Sequence, residues 1–526
     1  MATLSSRRGR PGSAVNSRRA TLGSLWISIL LFLALAGSPG WAALAGQADT
    51  AIPSSPSTDL TLPLSVLWTF SMDPDPSSLL APVVQGDVVL ISHDGKLRCL
   101  EMQTGAEKWK FEPEDEEEQK ARVTTAPVVV GDRVVVGADN AEIFALNLSD
   151  GKEIWKTKCI GAISPSPVVL GEVLVAAARD AVYGIDPASG APRWMCSLAS
   201  PASWGPITDG AGLYFLGHDG SVEAVDPERG RFRWRSETLH GPLAFPPTIA
   251  AGRVLVASGS LLKAVARTGV VSWRVDLPSS IGAQPTVVGD SIYVPCVDGT
   301  VLVLSARSAW DQRRKPIKVG SAATSPPLVS GGLVFVGTSS ALVYAVEAES
   351  GEVRWVYRCR APEQLLDEAA EFGIYASLVQ TDGAILCLTG AGDLYCFSSA
   401  AADPIPPRFS DLKPEPNSAL PGKEAVNLSF AVVDDGSGVD ARSVTLTVDG
   451  NPVRVLFDPA DGMGEITFPA MADGSHVVKA TAKDYRGNEG SVEWSFLTDE
   501  SIAPEAATQV PGATTTQPAR RTTPVR

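Results

Sequence analysis

The feature that most restricts this chain is a phrase recurring about every 40 residues, a repeat length typical of propellers and solenoids. A short apolar run, small in its third place, leads to Gly, three further residues, and Trp. Leu97-Arg98-Cys99-Leu100 runs to Gly105 and Trp109, Ile143-Phe144-Ala145-Leu146 to Gly151 and Trp155, and Val182-Tyr183-Gly184-Ile185 to Gly190 and Trp194. Val222-Glu223-Ala224-Val225 leads to Gly230 and Trp234, Leu262-Lys263-Ala264-Val265 to Gly269 and Trp273, and Val343-Tyr344-Ala345-Val346 to Gly351 and Trp355. Each phrase is preceded by a strand that follows a small-Pro or Pro-Pro step, such as Ala81-Pro82-Val83-Val84 and Ser325-Pro326-Pro327-Leu328. A second, more apolar strand then meets the third through a tight turn, often Asp-Gly (Asp94-Gly95, Asp219-Gly220, Asp298-Gly299). Asp-Gly tolerates the positive φ that two-residue hairpins need. Four short antiparallel strands per unit are the anatomy of a propeller blade. One such sheet cannot bury its own faces, so neighbours must supply the core, and an indole on the outer strand has the area to do it.

The expected fold is therefore all-β, a ring of eight blades. Seven units run from about residue 81 to 360; in the sixth, Arg307 to Lys315 stand where the Gly and Trp should be. An eighth set, Tyr375–Gln380, Ala384–Leu388 and Asp393–Phe397, stops at three strands. The lone segment Leu64–Phe70, which carries Trp68, is expected to be its missing fourth and so to close the ring, leaving no long edge exposed. The propeller is placed at 63–400, after a linker at 46–62. A Pro-rich linker at 401–410 leads to a second unit at 411–498, where alternating strands about ten residues apart are joined by Asp-Gly turns. That pattern predicts an immunoglobulin-like sandwich. The Thr/Pro/Ala-rich tail at 499–526 is expected to be disordered.

Charge and the N-terminus bound the setting. The net charge is −15, which repels phosphate backbones and excludes nucleic acid as a natural partner. Arg7, Arg8, Arg10, Arg18 and Arg19 precede a short apolar run and then Ala43-Leu44-Ala45. This is a signal-peptide layout with cleavage near Ala45, so residues 1–45 are read as an export leader. Ser17-Arg18-Arg19 lacks the aromatic that usually follows a twin-arginine pair, which favours the general export route. Gln47 stands where an acylated Cys would be, so no lipid anchor is expected. Two insertions, Glu112–Lys120 and Ala361–Phe372 (the one short-helix candidate), should emerge on one face; they read as solvated loops or as an acidic docking rim. Seven scattered Cys do not make a disulfide framework. Cys387 and Cys396, straddling the turn Thr389–Asp393, are a candidate cross-strand pair.

The repeat phrase, Pro-Val-Val followed by Gly-x-Val-Val-Val, Asp-Gly, Ala-Leu-(Asp/Asn) and Gly-x-x-x-Trp, resembles the PQQ-type propeller repeat over about residues 64–398. The Gly-His and Trp-Asp marks of WD40 repeats are missing. Two branches are implied: the quinoprotein alcohol dehydrogenases, and non-catalytic propellers similar to BamB, the barrel-assembly propeller of the bacterial outer membrane. The resemblance to the dehydrogenases implies adjacent cysteines against the quinone, and no two Cys adjoin here. No nucleophile triad, phosphate loop or Cys-x-x-Cys is present either, so catalytic and cofactor-binding residues are expected to be absent. The second unit resembles bacterial Ig-like modules at Asp434–Asp440, Asp473–His476 and Asp484–Asn488. Should the first and last of these loops share one end of the sandwich, Asp434, Asp435, Asp440 and Asp484 would offer hard oxygens to Ca²⁺; the plainer reading is polar turn chemistry. The function expected is an exported, non-enzymatic protein-binding scaffold of the cell envelope (periplasmic or extracellular), a monomer within a larger complex. BamB-like assembly of outer-membrane proteins is its specific form. The alternatives are a surface adhesion or glycan-binding module and, less favoured, a PQQ-dependent dehydrogenase.

Overall fold

The structure, a computed structural model, describes residues 60–74, 80–114, 121–238, 245–309, 315–359 and 373–502. The expected export leader, most of the acidic insertion, the segment 361–372 and the end of the tail lie outside the described residues. Strand follows strand throughout. Eight four-stranded sheets take up the chain from Ser65 to Ser398, and a pair of sheets forms a β-sandwich after it. In the first, Val83–Gln85, Val88–His93, Lys96–Glu101 and Glu107–Phe111 lie side by side in chain order. Six more repeat that order. In the eighth, Val379–Thr381, Ala384–Leu388 and Asp393–Ser398 are completed by the N-terminal strand Ser65–Ser71, which runs antiparallel to the last of them.

Alternation along each strand sends one set of apolar side chains to each face of its sheet, and each set meets the facing set of the next sheet. Leu90 and Cys99 of the first sheet share a cluster with Val134 and Phe144 of the second. Equivalent clusters join each successive pair, and the last joins Leu386 and Cys396 of the eighth sheet to Val89 and Ile91 of the first. The ring is thus sealed by ordinary inter-sheet packing, making an all-β propeller.

The recurring phrase now acquires a mechanism. Every small residue in its third place lies opposite the Trp on the adjoining strand: Cys99 faces Trp109, Ala145 Trp155, Gly184 Trp194, Ala224 Trp234, Ala264 Trp273, and Ala345 Trp355. Cys396 faces Trp68 in the closing sheet. Space on its own sheet lets the indole lie flat and reach the next one. There it covers the Gly of the following phrase. A Cβ on Gly105 would come within 2.6 Å of the Trp68 ring, one on Gly151 within 2.6 Å of Trp109, and one on Gly230 within 2.2 Å of Trp194. Several indoles also donate across the seam, Trp68 to the Met102 carbonyl at 2.8 Å and Trp109 to that of Leu148 at 2.9 Å. The degraded sixth unit shows the same rule by exception. Its fourth strand is reduced to Ile317–Lys318 and brings no Trp, and no atom of the described residues lies within 4 Å of a Cβ on the next phrase's Gly351.

Two boundary expectations change. The propeller begins before residue 63, since Leu60 is buried in the seam between the seventh and eighth sheets. The second unit begins before 411, because Arg408–Lys413 is already a strand of its four-stranded sheet. That sheet also holds Val426–Val433, Met463–Phe468 and Leu456–Asp458. The other holds Ala419–Pro421, Glu489–Asp499, Gly474–Lys483, Thr445–Val448 and Asn451–Val453. Phe430, Val478, Trp494 and Phe496 fill the space between them. Pro406, Pro407, Pro414 and Pro416 flank or separate these two early strands, so their local pattern looks like linker.

Candidate functional site

The two sandwich loops singled out from sequence lie side by side and face the propeller. Val439 bridges to Asp484, and the Tyr485 N–H donates to the Gly438 carbonyl at 3.1 Å. From this end the loops bind the seventh and eighth sheets where the ring closes. The Trp355 indole, which has no Gly phrase ahead of it on the eighth sheet, donates instead to the Ser437 carbonyl at 2.8 Å. The Val66 N–H of the N-terminal strand donates to Gly436 at 3.0 Å. Tyr357 Oη donates to the Asp435 carbonyl, and the Val356 N–H to Tyr485 Oη. Arg486 reaches Ser65 Oγ at 3.0 Å and the carbonyls of Ser399 and Ala401. A narrow cleft of about 80 Å³ runs between the units, lined by Tyr357, Arg358, Asp434 and Pro459 among others; it is too small for an organic substrate. Burial there pulls the Arg358 guanidinium down to about 10.

The four aspartates named from sequence divide. Asp434 and Asp484 are buried and meet Asp403, one carboxylate oxygen from each lying within 4.8 Å of the others. Asp435 instead forms an exposed ion pair with Arg408, and Asp440 caps the short 3₁₀ turn Ala441–Ser443 while pairing with Arg442. Both therefore leave the expected ligand set, because an arginine neutralises each, whereas the Asp484 carboxylate accepts, among the described residues, only the uncharged N–H groups of Asn488. Asp403, which joins Asp434 and Asp484, carries no sequence signal, because it sits before Pro404 in an apparent linker. Its Oδ2 accepts from the Ser437 N–H at 2.7 Å, and its own carbonyl accepts from Asn488 at 2.7 Å. Asp434 Oδ2 accepts the N–H groups of Gly436 and Gly438. Burial raises the Asp434 carboxyl to about 6 against the pull of those N–H groups, with Asp403 and Asp484 adding repulsion.

Other residues that could carry chemistry are occupied or kept apart. His93 is buried and meets the Asp73 carbonyl, whereas His218, at the equivalent turn three sheets on, is exposed. His476 is held by Asp449 at 2.8 Å inside the sandwich. All seven Cys are free thiols. The candidate pair Cys387 and Cys396 is ruled out by register: Cys387 lies opposite Tyr395 and Cys396 opposite Leu386, so the two thiols point to opposite faces of their sheet. Cys387 instead approaches Cys359 of the seventh sheet, and burial pushes the Cys359 thiol well up. Non-reducing peptide mapping should recover Cys396 as a free thiol, never cross-linked to Cys387.

Fold and repeat chemistry together define a PQQ-repeat β-propeller. The chain belongs to the family described as outer membrane protein assembly factor BamB, whose model matches residues 65–203, 160–246 and 218–408. It is 24% identical over 351 residues to the outer membrane protein assembly factor BamB of Yersinia pestis, covering 61% of this chain and 84% of that one. It is 26% identical over 341 residues to the protein of that name from Escherichia coli K12, covering 60% and 84%. Among solved structures, BamB from Moraxella catarrhalis superposes with a TM-score of 0.50 at 17% identity, covering 65% of this chain and 99% of that one, a likeness of fold. The sandwich lies beyond the matched region.

Proposed function

We propose that this protein is an exported, non-catalytic scaffold of the cell envelope that assists outer-membrane protein assembly through protein contacts. One observation carries the reading: the assembly-factor family model runs around the whole ring, from residue 65 to 408. A closed ring of rigid sheets suits a partner-holding role, since it fixes loops and edges without spending binding energy on ordering them. The outer strands of four consecutive sheets also leave apolar side chains uncovered. Ile154, Met195 and Phe232 lie on them and Val270 beside the fourth, each at least 42% exposed. In the proposed role these side chains are the apolar anchors that a partner would meet. The decisive experiment is affinity capture of the tagged protein from envelope extract. Barrel-assembly components should co-purify, and M195E/F232E should reduce their recovery several-fold while leaving the thermal midpoint unchanged. Recovery of glycan or surface-layer components in their place would overturn the proposal, as would quinone-dependent dye reduction by the purified protein.

A further inference from the structure

Three carboxylates meet at the joint between propeller and sandwich, and no basic side chain among the described residues balances them. Among the described residues, neither Asp403, Asp434 nor Asp484 forms an ion pair with Lys or Arg. Lys483, next to Asp484 in sequence, pairs with Glu489, and Arg486 spends its guanidinium on Ser65 and two backbone carbonyls. Such an arrangement is costly, because like charges at this separation repel strongly once water is excluded. A second observation is independent of the acidic count. Asp434 is 8% exposed, its Oδ1 is wholly buried, and that oxygen has no hydrogen-bond partner among the described residues. Ser437, in the same loop and fully buried, has an equally unpartnered Oγ. Buried oxygens are rarely left without a donor, and here two stand in one loop beside a surplus of negative charge. The loop is shaped around the third carboxylate: a Cβ on Gly436 would lie 2.2 Å from Asp403 Cγ, so a side chain there would evict it.

We propose that Asp403, Asp434 and Asp484 hold a Ca²⁺ ion that locks the sandwich onto the closing sheets of the propeller. The donor set is all oxygen, without His or Cys, which favours a hard cation over zinc or copper. Ca²⁺ suits it better than Mg²⁺. It accepts irregular shells of carboxylate, hydroxyl and carbonyl oxygens, whereas Mg²⁺ demands near-octahedral geometry and keeps its waters. The ligands come from three separate places: the connection leaving the propeller, and two sandwich loops that also grip Trp355, Val66 and Ser65. One ion would therefore join the start of the ring, its end and the second unit, which explains why the fold tolerates the charge.

The test is calorimetric titration of the chelator-stripped protein with CaCl₂, paired with thermal unfolding. One site per chain is expected, with a Kd on the order of 100–1000 µM, as for extracellular Ca²⁺ modules. Saturating Ca²⁺ should raise the midpoint by about 2–5 °C, and equal Mg²⁺ by less. D434N and D484N should each weaken binding at least tenfold, whereas D435N should bind like the parent. D434N keeps the side-chain volume and removes a buried charge, so its metal-free midpoint should be no lower than the parent's; that result shows the variant is folded. Absence of heat and of any shift in the parent protein would overturn the site, as would Ca²⁺ binding undiminished in a D434N/D484N double variant. Neither result bears on envelope assembly, which rests on the propeller.

Discussion

Gly230→Ala should be among the most damaging single-methyl additions in this protein, and Gly351→Ala a mild one. Both glycines hold positive φ, +60° and +74°, so both substitutions carry the left-handed cost of about 1–2 kcal/mol. Gly230 lies under an indole, its hypothetical Cβ 2.2 Å from Trp194 Cε3; Gly351 has nothing within 4 Å among the described residues. Displacing a packed ring adds about 1–3 kcal/mol of overpacking. The expected gap between the two variants is thus about 1–3 kcal/mol in denaturant unfolding, with Gly230→Ala the worse. Equal losses would mean that the glycines serve the turn alone and that the Trp–Gly contact contributes nothing.

Trp355→Ala should cost more than either. Trp355 is fully buried, stacks on Tyr357 at 5.9 Å and meets the edge of Phe397 at 5.5 Å. Truncating a buried Trp costs about 3–5 kcal/mol. Here it also strips the Ser437 carbonyl of its donor, worth about 1–3 kcal/mol when the group stays buried. The damage should be directional as well. Sandwich loop and propeller share this hydrogen bond, so limited proteolysis should cut the 403–408 connection in the variant well before the ring itself. Trp355→Phe isolates the hydrogen bond. It should be costlier than Trp194→Phe, since the Trp194 indole N–H is buried without an acceptor and loses nothing. A Trp355→Ala protein that unfolds like the parent would remove the joint from the account.

The sequence made the units, their number of strands and the small-residue slot readable, because period-two alternation and Asp-Gly turns are local signals. Gly before Trp was readable as a turn residue. Its second duty, as the floor for the preceding sheet's indole, was not, because that contact crosses about 40 residues and depends on ring geometry. Asp403 was invisible for a related reason. Nothing local distinguishes it from linker, and only the docking of the Asp434 and Asp484 loops gives its carboxylate a place. Cys387 and Cys396 misled through a count. They straddle their turn unevenly, and in a strand a single residue of offset reverses the face. Asp435 and Asp440 shared the right loop, but Arg408 and Arg442 reached them first.

Closure by the N-terminal strand is the point on which the rest depends, since it seats Trp68 over Gly105 and presents Val66 and Ser65 to the sandwich. Hydrogen exchange followed by mass spectrometry tests it directly. Amides of Ser65–Ser71 that bond to Asp393–Ser398 should be protected on the same timescale as those of Ala384–Leu388 in the middle of that sheet. Exchange of the 65–71 segment within seconds, with Ala384–Leu388 still protected, would mean an open ring and would contradict the account.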